Sequence, residues 1–173
     1  MKGADLSDLD LSGISFKGSD LRFSNLSGAT AAGPQSIPAS FERVHLMYAD
    51  MRDTEFMRTS FRWALLEGTN MSGFRLWHRT DLSEALLLET NLTNANWEGP
   101  GKEGVNLEEA TIDGAILIGT NLSHTRLNGA IFRNITKWDQ RTNFEGADCQ
   151  GTQFDTSSDF YKWGQSRFPN CFK

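Results

Sequence analysis

Little in this 173-residue sequence is available for chemistry. It has three histidines, His45, His78 and His124, and none has a metal-type partner at short spacing. Cysteine is limited to Cys149 and Cys171, which could form one disulfide, although spacing in sequence does not decide it, and which read first as one thiol at a core position and one in the tail. Basic charge is also short: Lys+Arg is 17 against 22 for Asp+Glu, a formal net charge of -5. A general nucleic-acid or membrane-surface binder would want the opposite balance. No apolar run approaches the ~20 residues of a membrane span. The first residues, Met1 to Leu6, enter patterned sequence at once, so no signal peptide is visible and a cytoplasmic location is expected. A signal removed beforehand would leave no trace.

What is present is a period of five. From Leu6 the chain steps through Leu11, Phe16, Leu21 and Leu26, resumes at Phe41, and continues through Leu46, Met51, Phe56, Phe61, Leu66, Met71 and Leu76. A one-residue shift restarts it at Leu82, Leu87, Leu92 and Trp97. After a gap come Leu107, Ile112, Leu117, Leu122, Leu127 and Phe132, then Trp138, Phe144, Cys149, Phe154 and Phe160. Of all the centres this frame implies, only Ala31, Ser36, Lys102 and Cys149 lack a large apolar side chain. Two residues before each centre the side chain is nearly always small, with Leu9, Ile14, Pro34, Phe74 and Pro100 as the exceptions. Asp or Asn often stands directly before the centre. Neither a helix, with period 3.6, nor a simple strand, with period 2, produces this.

The pattern Ala-(Asp/Asn)-Leu-X-X, literal in Ala4-Asp5-Leu6, Ala49-Asp50-Met51 and Ala147-Asp148-Cys149, resembles the pentapeptide-repeat family. The resemblance covers nearly the whole chain. It implies an all-β solenoid, a right-handed quadrilateral parallel β-helix with four pentads per turn, and about 7–8 turns on this length. Centre and small residue would point inward and the other three outward, since a large residue beside another large one would overpack the interior. Centres about 20 residues apart should then share a face. Leu6, Leu26, Leu46, Leu66, Leu87, Leu107 and Leu127 are such a set, and all are Leu, so both gaps are expected to preserve the count of faces.

Two segments interrupt the pattern. Residues 29–40 carry Gly33, Pro34 and Pro38, and residues 98–104 read Glu-Gly-Pro-Gly-Lys-Glu-Gly. Both are expected to be loop excursions from a coil spanning 1–154. The extra residues before Leu82, Trp138, Phe144 and Phe160 read as bulges at corners. Residues 155–173 lose the period but hold Phe160, Tyr161, Trp163, Phe168 and Phe172, too many aromatics for a free tail. They are expected to cap the last turn, whose strand edges would otherwise be open.

No catalytic, cofactor-binding or metal-binding residue is assigned. Gly99 to Gly104 superficially resembles a phosphate loop but lacks its spacing and the hydroxyl residue after Lys102. Sequons such as Asn70-Met71-Ser72 are by-products of the repeat. The outward positions say more. Around the Leu column, His45, Met47, Leu65, Leu86 and Leu88 form an apolar stretch between polar ends, a candidate protein-contact patch. A second candidate is Met57, Trp77, Ile116 and Ile118, placed on a common face. A further face, including Ser83, should be simply solvated.

The expected function is therefore non-enzymatic: a scaffold presenting flat faces to a protein partner or to a second copy of itself, with no nucleic acid, membrane, small-molecule substrate or cofactor. The alternative is a DNA-mimicking binder of DNA gyrase, as in the quinolone-resistance members the chain resembles. Those imply a strongly acidic rod, whereas Arg22, Arg52, Arg58, Arg62, Arg75 and Arg79 are spread over this surface.

Overall fold

The computed structural model of the protein describes residues 1–32, 37–98 and 104–173. Its extended segments are too short to stand alone, and each is held by the segment stacked on it. Centre amides donate to the next rung: Leu6 N–H to the Asn25 carbonyl at 2.7 Å, Leu26 to Asp50 at 2.7 Å, Leu46 to Leu65 at 2.8 Å. Pairing is parallel throughout. The strands β1 (Thr30–Ala31), β2 (Glu55–Met57) and β3 (Arg75–Trp77) form one sheet, and β4 (Leu86–Leu88), β5 (Thr111–Asp113), β6 (Ile131–Arg133) and β7 (Gln153–Phe154) another. The fold is thus an all-β parallel solenoid.

Isolated bridges extend these sheets into ladders of stacked residues. The first ladder runs Asp5, Asn25, Asp50, Asn70, Asn91, Ile116 and Lys137; the second, Asp10, Thr30, Glu55, Arg75, Asn96, Asn121 and Asn143. The third runs Ser15, Ser40, Ser60, Asp81, Asn106, Arg126 and Asp148; the fourth, Asp20, His45, Leu65, Leu86, Thr111, Ile131 and Gln153. The chain passes from one ladder to the next every pentad. The second residue after the centre makes the turn with positive φ, as at Tyr48 (59°), Trp63 (56°) and Gly114 (69°). That region is costly for a side-chain-bearing residue, and the ladder bonds on either side hold it there.

The interior follows the sequence pattern. Leu21, Leu26, Phe41, Leu46, Phe56, Phe61, Leu66, Leu87, Trp97 and Leu107 are all 0% exposed. Small inward residues beside them, such as Ala49, Ala64, Ala85 and Ala115, are buried too. Where Thr takes this position its hydroxyl needs a partner, and finds one in the backbone: Thr69 donates to the Leu46 carbonyl at 3.0 Å and Thr120 to that of Leu92 at 2.7 Å.

The expected all-Leu column does not exist. Asn25 stacks on Asp50, not on His45, and Asp81 stacks on Asn106. Between Thr30 and Ser40, and again between Asn96 and Asn106, the chain spends ten residues to advance one ladder instead of two. Each interruption therefore removes one pentad from the count. Leu6 and Leu26 lie on the first ladder, Leu46, Leu66 and Leu87 on the fourth, and Leu107 and Leu127 on the third. The slots assigned to Ser36 and Lys102 fall outside the described residues. Leu is common at every centre, so a homogeneous column could be drawn through the wrong register.

Beyond β7 the chain forms α1 (Asp159–Arg167), so Phe160 is a helical residue and not a pentad centre. Ser158 caps it, accepting the Tyr161 N–H at 3.1 Å, and Asp159 suits the positive end of the helix dipole. Phe172 stacks on Phe154 with ring centroids 4.1 Å apart and meets Phe144 edge-on at 5.3 Å; Phe160 meets Trp138 at 5.4 Å. Cys149 and Cys171 are joined as a disulfide across a separation of 22 residues, which overturns the reading of two separate thiols. Their Cα atoms are 5.1 Å apart because the helix returns the tail onto the rung that holds Cys149.

Candidate functional site

The fourth ladder carries the candidate patch. His45, Leu65 and Leu86 are consecutive rungs on it, and Met47 and Leu88 flank the centres Leu46 and Leu87. The five residues are brought together as expected over Leu46, Leu66 and Leu87, although beyond these rungs the column is assembled from other centres than the expected leucines. His45 is exposed, Leu86 is 38% exposed, and Met47, Leu65 and Leu88 are half-buried. Packing of neighbouring rungs at about 4.8 Å leaves only the outer part of each side chain free.

Aromatic residues extend this face beyond what the pattern alone indicated. Phe23 and Tyr48, each second after its centre, are 54% and 51% exposed and stack with centroids 5.5 Å apart. The Lys2 ammonium lies 5.2 Å from the Phe23 ring. Below them Gly68 (φ +62°) leaves space for the Tyr48 ring, which a Cβ would strike. The Tyr48 hydroxyl donates to Glu67 at 3.0 Å, and this hydrogen bond raises the phenol's pKa. The signal for this pair was available only with the correct register, since Leu21 and Leu46 belong to different faces in a gap-preserving count.

The opposite edge of the same face is fixed by cations. Trp63 lies between Arg43 and Arg62, whose guanidinium carbons are 4.7 and 4.3 Å from the ring centre, and its indole N–H donates to Glu84 at 2.7 Å. Arg62 also pairs with Glu84 at 3.2 Å.

At the corner leading from the fourth ladder to the first lies a recess of about 540 Å³ lined by Leu88, Glu89, Asp113, Gly114, Ile116, Asn134 and Thr136. Asn134 Nδ2 donates to Asp113 Oδ1 at 2.9 Å, and the Thr136 hydroxyl donates to the Gly114 and Ala115 carbonyls at 3.3 and 3.1 Å.

The second candidate patch is not assembled. Met57 and Trp77 are paired between β2 and β3 on the second ladder, whereas Ile116 stacks on Asn91 in the first ladder and Ile118 follows it there. The pentad lost near residue 100 moves Ile116 and Ile118 one face away, and Ile116 instead meets Leu88 at the recess. Nor does Ile37 lie over the main patch: its carbonyl accepts the Gly13 N–H at 2.8 Å, and its side chain is 70% exposed; residues 33–36 of that interruption lie outside the described residues. Ser83, expected to be solvated, is 7% exposed, and Ser123 is 4% exposed. A short outward side chain is covered when longer ones flank it, as Arg62 and Glu108 flank Ser83. His78 is half-buried and His124 exposed, and no group of metal-ligating side chains occurs among the described residues. No helix there is long and apolar enough to cross a membrane.

The sequence matches the family model for pentapeptide repeats, in eight copies, over residues 1–32, 39–73 and 103–135. The chain belongs to the pentapeptide-repeat family. No match is found among curated proteins. Among solved structures it is similar to HetL, a pentapeptide-repeat protein involved in heterocyst differentiation regulation in Nostoc sp. strain PCC 7120, at 18% identity over 88% of each chain with a TM-score of 0.28. Rfr23 from the cyanobacterium Cyanothece 51142 is 23% identical over 88% of this chain and 89% of its own, with a TM-score of 0.29. Full-length QnrB1, a plasmid-mediated fluoroquinolone resistance protein, is 15% identical over 97% of each chain, also at 0.29.

Proposed function

We propose that this pentapeptide-repeat protein is a non-enzymatic scaffold that engages a protein partner, or a second copy of itself, through the face built on the fourth ladder. In this reading the four ladders are the sides of a right-handed quadrilateral coil. The fourth ladder, from Asp20 to Gln153, has seven rungs, which makes about seven turns. The segment 155–173 is its cap.

The observation that carries the reading is the continuity of Leu65, Leu86, Leu88 and Met47 with the exposed Phe23 and Tyr48 rings. Apolar side chains scattered singly over a surface are ordinary, but a contiguous group on a rigid sheet is a contact surface. A cytoplasmic location and the Cys149–Cys171 disulfide pull against each other, because disulfides are rare in reducing compartments. Thiol labelling of the protein in its host settles which holds. The binding reading is tested by Leu86→Glu combined with Leu88→Glu. Association, measured by sedimentation and by binding to an isolated partner, is lost while the melting temperature is kept. Unchanged association would refute the assignment of this face.

A further inference from the structure

We infer that the recess at the edge of this face receives a basic side chain, arginine best of all, from the same protein that covers Leu65, Leu86 and Leu88. The inference rests on the contact-face reading above and adds the chemistry of the partner.

Gly114 (φ +69°) lines the recess beside Glu89, and a Cβ there would come within 3.2 Å of the Glu89 side chain. Two carboxylates from consecutive rungs, Glu89 and Asp113, line the same recess. The donors nearby are largely committed, one N–H of the Asn134 amide to Asp113 and the Thr136 hydroxyl to backbone carbonyls. With two carboxylates among the lining, the recess repels an anion and favours a cation with several N–H groups.

Several carboxylates of this protein have their own arginines: Asp20 pairs with Arg22 and Asp50 with Arg52, both at 2.6 Å, Glu84 with Arg62 at 3.2 Å, and Asp139 with Arg141 at 2.9 Å. Glu89 and Asp113 have no ion pair among the described residues. Arg133, the neighbour of Asp113 across β5 and β6, is exposed and does not close one.

The walls suit the rest of the ligand. Leu88 and Ile116 are apolar and half-buried, and would pack against the methylenes of an arginine whose guanidinium meets the carboxylates. Leu88 belongs to both the recess and the apolar patch, so one partner segment can cover the patch and reach the recess. A planar guanidinium can be held by two carboxylates in a fork geometry that an ammonium cannot match.

The probe is a random-peptide display library selected on the intact protein, followed by fluorescence anisotropy of the enriched peptides against three forms: wild type, Glu89→Gln with Asp113→Asn, and Leu86→Glu with Leu88→Glu. Glu89→Gln alone serves as a second recess variant, because Asp113 also holds Asn134. The expected peptides carry Arg beside large apolar residues. The recess variants bind them about tenfold or more weakly, and replacing the peptide's Arg with citrulline costs wild type the same factor but costs the recess variants nothing further. Peptides that lose binding on Leu86→Glu/Leu88→Glu but not on the recess variants overturn the recess assignment and leave the contact face standing. Failure to enrich any peptide sensitive to either pair overturns both.

Discussion

The third and fourth ladders share one backbone plan and one kind of interior, yet they present opposite surfaces. On the third, many outward side chains are charged or amides and meet one another from rung to rung. Lys17 pairs with Glu42 at 2.9 Å, Arg62 approaches Asp81 at 3.7 Å, and Arg126 approaches Glu108 at 3.8 Å; Asn106 donates to Asp81 at 3.1 Å and Asn128 to Asp148 at 3.1 Å. On the fourth, the middle rungs offer Leu65, Leu86 and Leu88, which have no polar atoms to satisfy and whose outer carbons meet solvent. The inward residues decide that a ladder forms. The outward residues decide only what it is for.

The largest effect should come from the interior the two faces share. Leu66→Ala empties a fully buried slot between Leu46 and Leu87 and should cost about 2–5 kcal/mol by chemical denaturation. A loss near zero would mean that the fourth ladder tolerates a void and is not a rigid surface. Next comes the staple at the end of the third ladder. Cys149→Ser with Cys171→Ser should lower stability by about 2–4 kcal/mol, because the open chain regains the freedom of the closed loop. Calorimetry with and without reductant checks it: reductant should lower the wild-type melting temperature and leave the variant's unchanged.

The sharpest contrast between the faces is Leu86→Glu/Leu88→Glu against Arg126→Ala. The first should abolish association with little change in melting temperature. The second removes only a long, exposed ion pair and should shift stability by no more than about 0.5 kcal/mol, with association intact. Equal effects from the two would erase the distinction drawn here.

The smallest effect concerns pH at the rim of the fourth face. The folded pKa of Tyr48 is raised by its hydrogen bond to Glu67, so the contribution is complete below the ordinary phenol value near 10 and is lost as pH rises through the raised one. Tyr48→Phe should remove that part of the alkaline loss of stability, read as a flatter melting-temperature profile above about pH 10.

How much could be read beforehand divides along the same line. The burial of Leu66, Phe61 or Ala64 was legible, because a period of five with a small residue two before each centre has one consistent interior. The patch of His45, Met47, Leu65, Leu86 and Leu88 was legible as well, because no interruption falls between residues 45 and 88. Met57, Trp77, Ile116 and Ile118 were not brought together, because an interruption does fall between the two pairs. The sequence left the pairing of Cys149 with Cys171 open, and they meet because α1 turns the tail back over the final rung.

Sequence by itself determined which side chains face inward, since each pentad must alternate bulk to fill the coil without overpacking. It also fixed the apolar character of the uninterrupted middle of one face. Tertiary structure decided which pentads stack on which, because a chain that leaves the coil can rejoin it after any number of residues, and only the ladder hydrogen bonds at its return select the rung. That choice placed Ile116 beside Leu88, stacked Phe23 on Tyr48, and opened the recess at Gly114.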